Sequence, residues 1–312
     1  MFDFYVLTEK ILMFVLLLIP GYILSKCKLL GDKAIPGLTE IITKIAMPCL
    51  VIVKMLETDI SKLGVANVIF CIIHVPVMLF LLYILTGIVF KKRRVERFCS
   101  VFPNCGFLGI PLAAAMFPDQ PEVAVFVAIW NIFNSVMVLT FGVNILSPVQ
   151  KKSGILSIIL KPISISAVVG IVLSVLHVGE KVPSLIAYTG YFADLTTPLS
   201  MTILGYELSK LKPGDIFLRR ELYTTSIMKM CISPLLAFVM VYLVMLIPGV
   251  ELSMPLAAAI FIATGVPTAA IASALSRDAG QDSGLAAILT VGTTILSVVF
   301  LPLMSIVFEL MF

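Results

Sequence analysis

Charge is what this sequence has least of. Only 13% of its 312 residues are Asp, Glu, Lys or Arg, against roughly a quarter in soluble domains, and no polar stretch is long enough to fold by itself in water. With 60% hydrophobic residues and a mean hydropathy of +1.12, the chain cannot be solvated on all sides, which excludes a soluble domain carrying one anchor. Histidine is nearly absent: His74 and His177 stand far apart, and no H-E-x-x-H, G-x-S-x-G or phosphate-binding loop accompanies them. The chain is therefore expected not to be an enzyme. Six cysteines, Cys27, Cys49, Cys71, Cys99, Cys105 and Cys231, form no CxxC and no cluster, so they read as small buried apolar residues and no metal or cofactor is expected. The N-terminal MFDFYVLTEK lacks the basic segment of a secretory signal, and no A-x-A site follows the apolar run from Ile11 to Ile19. The first helix is expected to remain in the mature protein.

What is present is a series of apolar runs. Stretches long enough to cross a hydrocarbon core of roughly 30 Å lie near 8–25, 35–56, 64–90, 98–117, 122–146, 162–178, 184–208, 221–247, 254–275 and 283–310. These predict an all-α polytopic protein with ten transmembrane helices and short loops, the longest being 147–161 and 209–220. Of the 22 Lys and Arg, sixteen fall in odd-numbered loops, three (Lys10, Lys62, Lys181) in even loops or termini, and three (Lys44, Lys54, Lys229) inside proposed spans. Cytoplasmic loops retain positive charge, so both termini are expected outside a cell (inner or plasma) membrane. The basic run KKRRVER lies between two spans, where topology explains it, and no nucleic acid is expected as a partner.

Proline spacing points to an internal repeat. Pro48, Pro76 and Pro111 in the second, third and fourth spans have counterparts in Pro198, Pro234 and Pro267 of the seventh, eighth and ninth, at separations of 150, 158 and 156 residues. Two five-helix halves, 1–156 and 157–312, must lie in opposite orientations, giving an inverted 5+5 repeat. The fourth and ninth spans carry the unusual chemistry. Phe102-Pro-Asn-Cys-Gly-Phe-Leu-Gly-Ile-Pro111 and Ala263-Thr-Gly-Val-Pro-Thr268 concentrate helix breakers at midspan. Proline removes a backbone donor and clashes with the preceding turn, and freed backbone groups at bilayer depth must be buried by protein or line a wet cavity. Breaks are expected around Gly109-Ile110-Pro111 and Gly265-Val266-Pro267, and matched breaks in two halves mark a transporter's binding site.

At these residues the sequence resembles the auxin efflux carrier family of membrane transporters. The match rests on FPNCGFLGIPLAAAMF (102–117), AMP (46–48), TPLSMTILGYEL (197–208) and ATGVPTAA followed by SGLAAILTVGTTILSVVFLP (263–302). The resemblance implies crossing of the broken fourth and ninth helices and a scaffold of helices 1, 2, 6 and 7. It also implies a transport domain of helices 3–5 and 8–10, elevator-type motion and a homodimer through the scaffold. Family members move auxin in plants, and bacterial relatives look like permeases for malate, malonate or similar carboxylates. The long hydrophilic loop of many plant carriers is missing here, so their regulation by phosphorylation does not carry over.

The expected function is secondary transport of a small organic anion, with a ligand-sensing receptor of transporter-like fold as the alternative. Half-helix N-termini would present unpaired N–H groups to a carboxylate without any arginine. The candidate substrate-binding set is Asn104, Gly109, Ile110, Pro111, Asn131, Thr264, Gly265, Pro267 and Thr268. Asn104, Thr264 and Thr268 would donate to the substrate or recap freed carbonyls, while Asn131 and Asn134, three apart on one helical face, serve either the site or helix packing. Ser283, Thr290, Thr293, Thr294 and Ser297 give the tenth span a polar stripe suited to Na+, water or tight packing. Lys44 and Asp194 each precede their span's proline by four residues. They read as a structural ion pair or a proton-coupling site, and Glu40, one turn before Lys44, offers a local partner instead. His74 reads as a packing residue, and H+ or Na+ remains open as coupling ion.

Overall fold

The computed structural model describes residues 4–58, 63–147 and 162–311. Lys62, the basic residues Lys151, Lys152 and Lys161, and the boundary at 156/157 lie outside the described residues. Each apolar run marked in the sequence carries helix. The main helices are α1 (Thr8–Lys26), α2 (Ala34–Glu57), α3 (Val65–Phe90), α4 (Arg94–Val101), α5 (Cys105–Met116), α6 (Pro121–Leu146), α7 (Pro162–Val175), α8 (Pro183–Ala193), α9 (Thr196–Lys210), α10 (Arg220–Met245), α11 (Met254–Gly265), α12 (Ala272–Asp278) and α13 (Ser283–Leu310). Six of them, α1, α2, α3, α6, α10 and α13, are long and apolar enough to cross a membrane by length and composition, and α5, α7 and α11 are shorter apolar helices. The predicted fourth, seventh and ninth spans are interrupted, as α4 with α5, α8 with α9, and α11 with α12.

The outward faces call for an apolar surrounding. α3 is strongly apolar yet mostly unburied, with Ile69, Ile73, Val77, Phe80 and Ile88 exposed. Ile165, Val168, Val172 and Val175 do the same on α7. Rows of this size in water would be an aggregation surface, whereas lipid solvates them. At the other extreme α11 is nearly all buried, packed between α6 and α10, and the rings of Phe238, Phe261 and Phe308 cluster there with centroids 5.5–5.8 Å apart.

Proline explains the local irregularities. The rings of Pro48, Pro111 and Pro234 oppose the carbonyls of Lys44, Phe107 and Met230, four residues earlier. Each of those carbonyls sits in a π-helical turn, Ile42–Ala46, Cys105–Gly109 and Met228–Ile232, whose wider ladder absorbs the clash without ending the helix. The Phe107 carbonyl, freed by Pro111, accepts a hydrogen bond from Ser200 Oγ of α9 at 3.2 Å. This corrects the expected position of the first break. Gly109, Ile110 and Pro111 lie inside continuous helix, and the interruption falls at Phe102–Asn104.

Helix packing is close where glycines allow it. Cβ atoms added at Gly21 of α1 and Gly205 of α9 would land on the carbonyl oxygens of Thr202 and Leu18 respectively, so these two backbones touch. α2 packs on α7 and α8, while α3, α6 and α11 form successive neighbours, and α13 lies along α1 and α12. The basic run after α3 has structural work: Arg94 Nη1 donates to the Leu146 carbonyl at 3.2 Å, closing the end of α6, and Arg97 lies 4.9 Å over the Tyr83 ring.

Candidate functional site

The two breaks meet. Phe102-Pro103-Asn104 is extended because a residue before proline is pushed out of helical geometry, and it runs antiparallel to Pro267-Thr268-Ala269 through a bridge between Pro103 and Thr268. Asn104 N donates to Pro267 O at 2.7 Å, and Ala269 N donates to Phe102 O at 2.9 Å. Around this two-residue ribbon the freed backbone groups are paired almost one by one, as low dielectric demands. Asn134 Nδ2 donates to Pro103 O at 3.4 Å, Thr268 N to Thr293 Oγ1 at 3.2 Å, and Thr268 Oγ1 to Cys99 O at 2.8 Å. Cys105 Sγ and Lys229 Nζ donate to the carbonyls of Ala263 and Thr264, each at 3.3 Å.

Asn104 begins α5. Its Oδ1 accepts from Phe107 N at 3.3 Å, an N-cap that leaves the other half of the amide spare. Asn104 Nδ2 is buried and has no hydrogen-bond partner among the described residues, and neither has Asn134 Oδ1. Beside them opens a cavity of about 370 Å³, within the size range of small-molecule sites. One wall is Pro103, Asn104, Gly106 and Phe107 at the start of α5, with Ala269–Ile271 beyond the second break; Asn131, Asn134 and Ser135 of α6 adjoin it. Thr39, Thr43, Lys44 and Met47 of α2 and Pro162 and Ile163 of α7 face them. Gly106 keeps the wall open, since a Cβ there would stand 2.6 Å from Met47 Cε and 3.5 Å from the Asn131 amide.

Of the candidate residues, Asn104 and Asn131 line this cavity and so does Lys44. Gly109, Ile110 and Pro111 support it from within α5. Thr264, Gly265, Pro267 and Thr268 lie on the crossover's other side, with the Thr264 hydroxyl bonded to Ile260 O of its own helix at 2.7 Å. Lys44 pairs with Glu40 at 3.1 Å, its side chain 59% exposed; among the described residues no ion pair joins it to Asp194, so the cross-scaffold pair is not formed. Thr290, Thr293, Thr294 and Ser297 are buried and bonded mostly to carbonyls of their own helix, apart from Thr293's link to Thr268. The sequence reading missed Thr39, Thr43 and Gly106. The first two share a face of α2 with Lys44 and Met47, a period-3.6 signal visible in the sequence, but their facing helix comes from the other half of the chain.

At the loop side, burial is the main cause raising the Glu96 carboxyl above its ordinary range, opposed by Arg93 at 3.6 Å and reinforced by the nearby Glu221 charge. Asp32, in the loop after α1, is held below its ordinary range first by its hydrogen bond from Lys210 at the end of α9.

Helices with lipid-suited faces surround a midchain crossover and, beside it, a partly open cavity lined mostly by apolar surface with a few polar groups. Residues 6–156 match the family described as "Membrane transport protein". An "Uncharacterized transporter" of Methanothermobacter thermautotrophicus is similar over nearly the whole length, 26% identical across 317 residues that cover 96% of this chain and 98% of the relative. Together the two matches support an auxin efflux carrier family transporter, as the sequence motifs imply.

Proposed function

We propose that the protein is a secondary transporter of a small organic carboxylate, auxin-like or malate/malonate-like in size, working by elevator-type alternating access in a cell membrane. The observation that carries this reading is the unpartnered Asn104 Nδ2, buried at the N-terminus of α5 in a residue that lines the cavity. A 12-residue helix presents partial positive charge and free N–H groups at that end. The carboxylate of a bound anion would accept from Asn104 Nδ2 and Asn131, and the Lys44 ammonium would hold a second acidic group or draw the anion in. The cavity lies between α2 and α7 on one side and the crossover with α6 on the other. Sliding of the second group past the first would carry the site across, with α1, α2, α7, α8 and α9 as a scaffold that also pairs two copies. Ten spans with both termini outside complete this reading.

Purified protein in proteoliposomes is expected to show saturable uptake of a labelled small carboxylate, competed by other acids and not by the amide of the same acid. Competition by the amide as strong as by the acid would remove the anion from the proposal. Orientation is tested separately with single cysteines at residues 2 and 94: an impermeant thiol reagent applied outside is expected to label the first and spare the second. The reverse pattern would invert the topology.

A further inference from the structure

We infer that Lys229 is a tethered cation, filling at the end of α11 the place where transporters built on broken helices hold a free coupling ion. Interrupted membrane helices expose carbonyls at their C-terminal ends, and these together with the helix dipole attract Na+ or a proton in other transporters. Here α11 stops at Gly265, the chain turns extended at Val266, and the last-turn carbonyls have lost their helical donors. Two side chains replace them, Cys105 on Ala263 O and Lys229 on Thr264 O.

The neighbouring thiol shows that a neutral donor is sufficient to cap such a carbonyl. Lys229 brings an amino group, cationic when protonated, to the same spot. Its side chain is fully buried, projecting from the π-helical turn Met228–Ile232 of α10, and among the described residues it forms no ion pair with any Asp or Glu. A buried ammonium without a carboxylate is costly, and the feature present to offset that cost is the negative end of α11. A free cation at this end would meet the same carbonyl and the same dipole. Lys229 therefore acts as a positioning residue: it fixes the foot of the crossover through Thr264. It also sets a positive charge behind the cavity wall, since Cys105 beside it in space adjoins the lining residues Asn104 and Gly106. Only the consequence for substrate rests on the carboxylate reading: binding should need no Na+ or K+.

The test is a melting curve of the purified full-length protein, first without substrate, in sodium chloride and in choline chloride, whose cation is too bulky for the space. The wild type is expected to melt at the same temperature in both. Lys229→Ala removes the ammonium and leaves room, so it is expected to melt lower in choline and to regain about 2 °C or more as Na+ rises to saturation. Lys229→Met fills the space without charge; it is expected to be indifferent to Na+ and to bind the carboxylate about tenfold more weakly or worse. A wild type stabilised saturably by Na+ would overturn the inference, as would an alanine variant indifferent to Na+. If the alanine variant does not fold, unchanged carboxylate affinity in Lys229→Met overturns it instead. Should no carboxylate stabilise the wild type while Na+ still rescues Lys229→Ala, the transport reading falls and the tethered cation stands.

Discussion

Asn104→Ala is expected to raise the Kd for the transported carboxylate by roughly ten- to 150-fold while the protein still inserts and purifies as one species. A hydrogen bond to a charged group contributes roughly 1.5–3 kcal/mol, and each 1.4 kcal/mol is about tenfold in affinity. The lost N-cap of α5 costs about 1 kcal/mol of stability, too little to unfold a helix held by α6, α9 and the crossover. Asn104→Asp separates the two roles of the amide. It keeps an acceptor for Phe107 N and deletes the donor, adding a like charge, so it is expected to bind the anion less well than alanine does. Thermal shift against the carboxylate measures both variants, and an unchanged affinity in Asn104→Ala would make this residue a cap only.

The second large effect is on assembly. Gly205→Val is expected to abolish a monodisperse folded protein in detergent, and Gly21→Val to do the same, because the new side chains have backbone in their way. At both positions even a Cβ would land on a carbonyl oxygen of the facing helix, and backbone cannot rotate aside as a side chain can. Overpacking of side chains costs about 1–3 kcal/mol; here α1 and α9 must separate along their whole contact. Gly190→Ala is the control: its Cβ meets open space in α8, and replacing a helical glycine gains about 0.5–1 kcal/mol. Size-exclusion profiles of the three variants decide it, and a native profile for Gly205→Val would contradict the close crossing.

The helices were legible because apolar runs bounded by charge carry their own length, and the second break was legible because Gly265 and Pro267 stand together at midspan. The first break was misread by several residues for a physical reason. Pro111 marks a clash, but the clash is absorbed by the π turn Cys105–Gly109 and by Ser200, which comes from α9 and is invisible to any local pattern. Pro103 and Asn104 carried the better signal, a residue forced extended followed by a capping side chain. Lys229 was legible as a lysine inside a span, yet its role depends on Thr264, 35 residues away. The pairing of Lys44 with Asp194 followed from repeat symmetry alone, and Glu40, one helical turn away, supplies the nearer partner. Half of the cavity wall was missed in the same way, since α2 and α7 meet only through tertiary packing.

Entrance counterflow tests the central claim most directly. Proteoliposomes loaded with a high concentration of an unlabelled small carboxylate are diluted into a trace of the labelled acid. A carrier that alternates one site between the two faces returns loaded from inside and drives labelled substrate inward above its equilibrium level before it decays, and that transient overshoot is the predicted result. Binding without any exchange of label would contradict transport and favour a ligand sensor, and monotonic equilibration without overshoot or saturation would mark a passive pore.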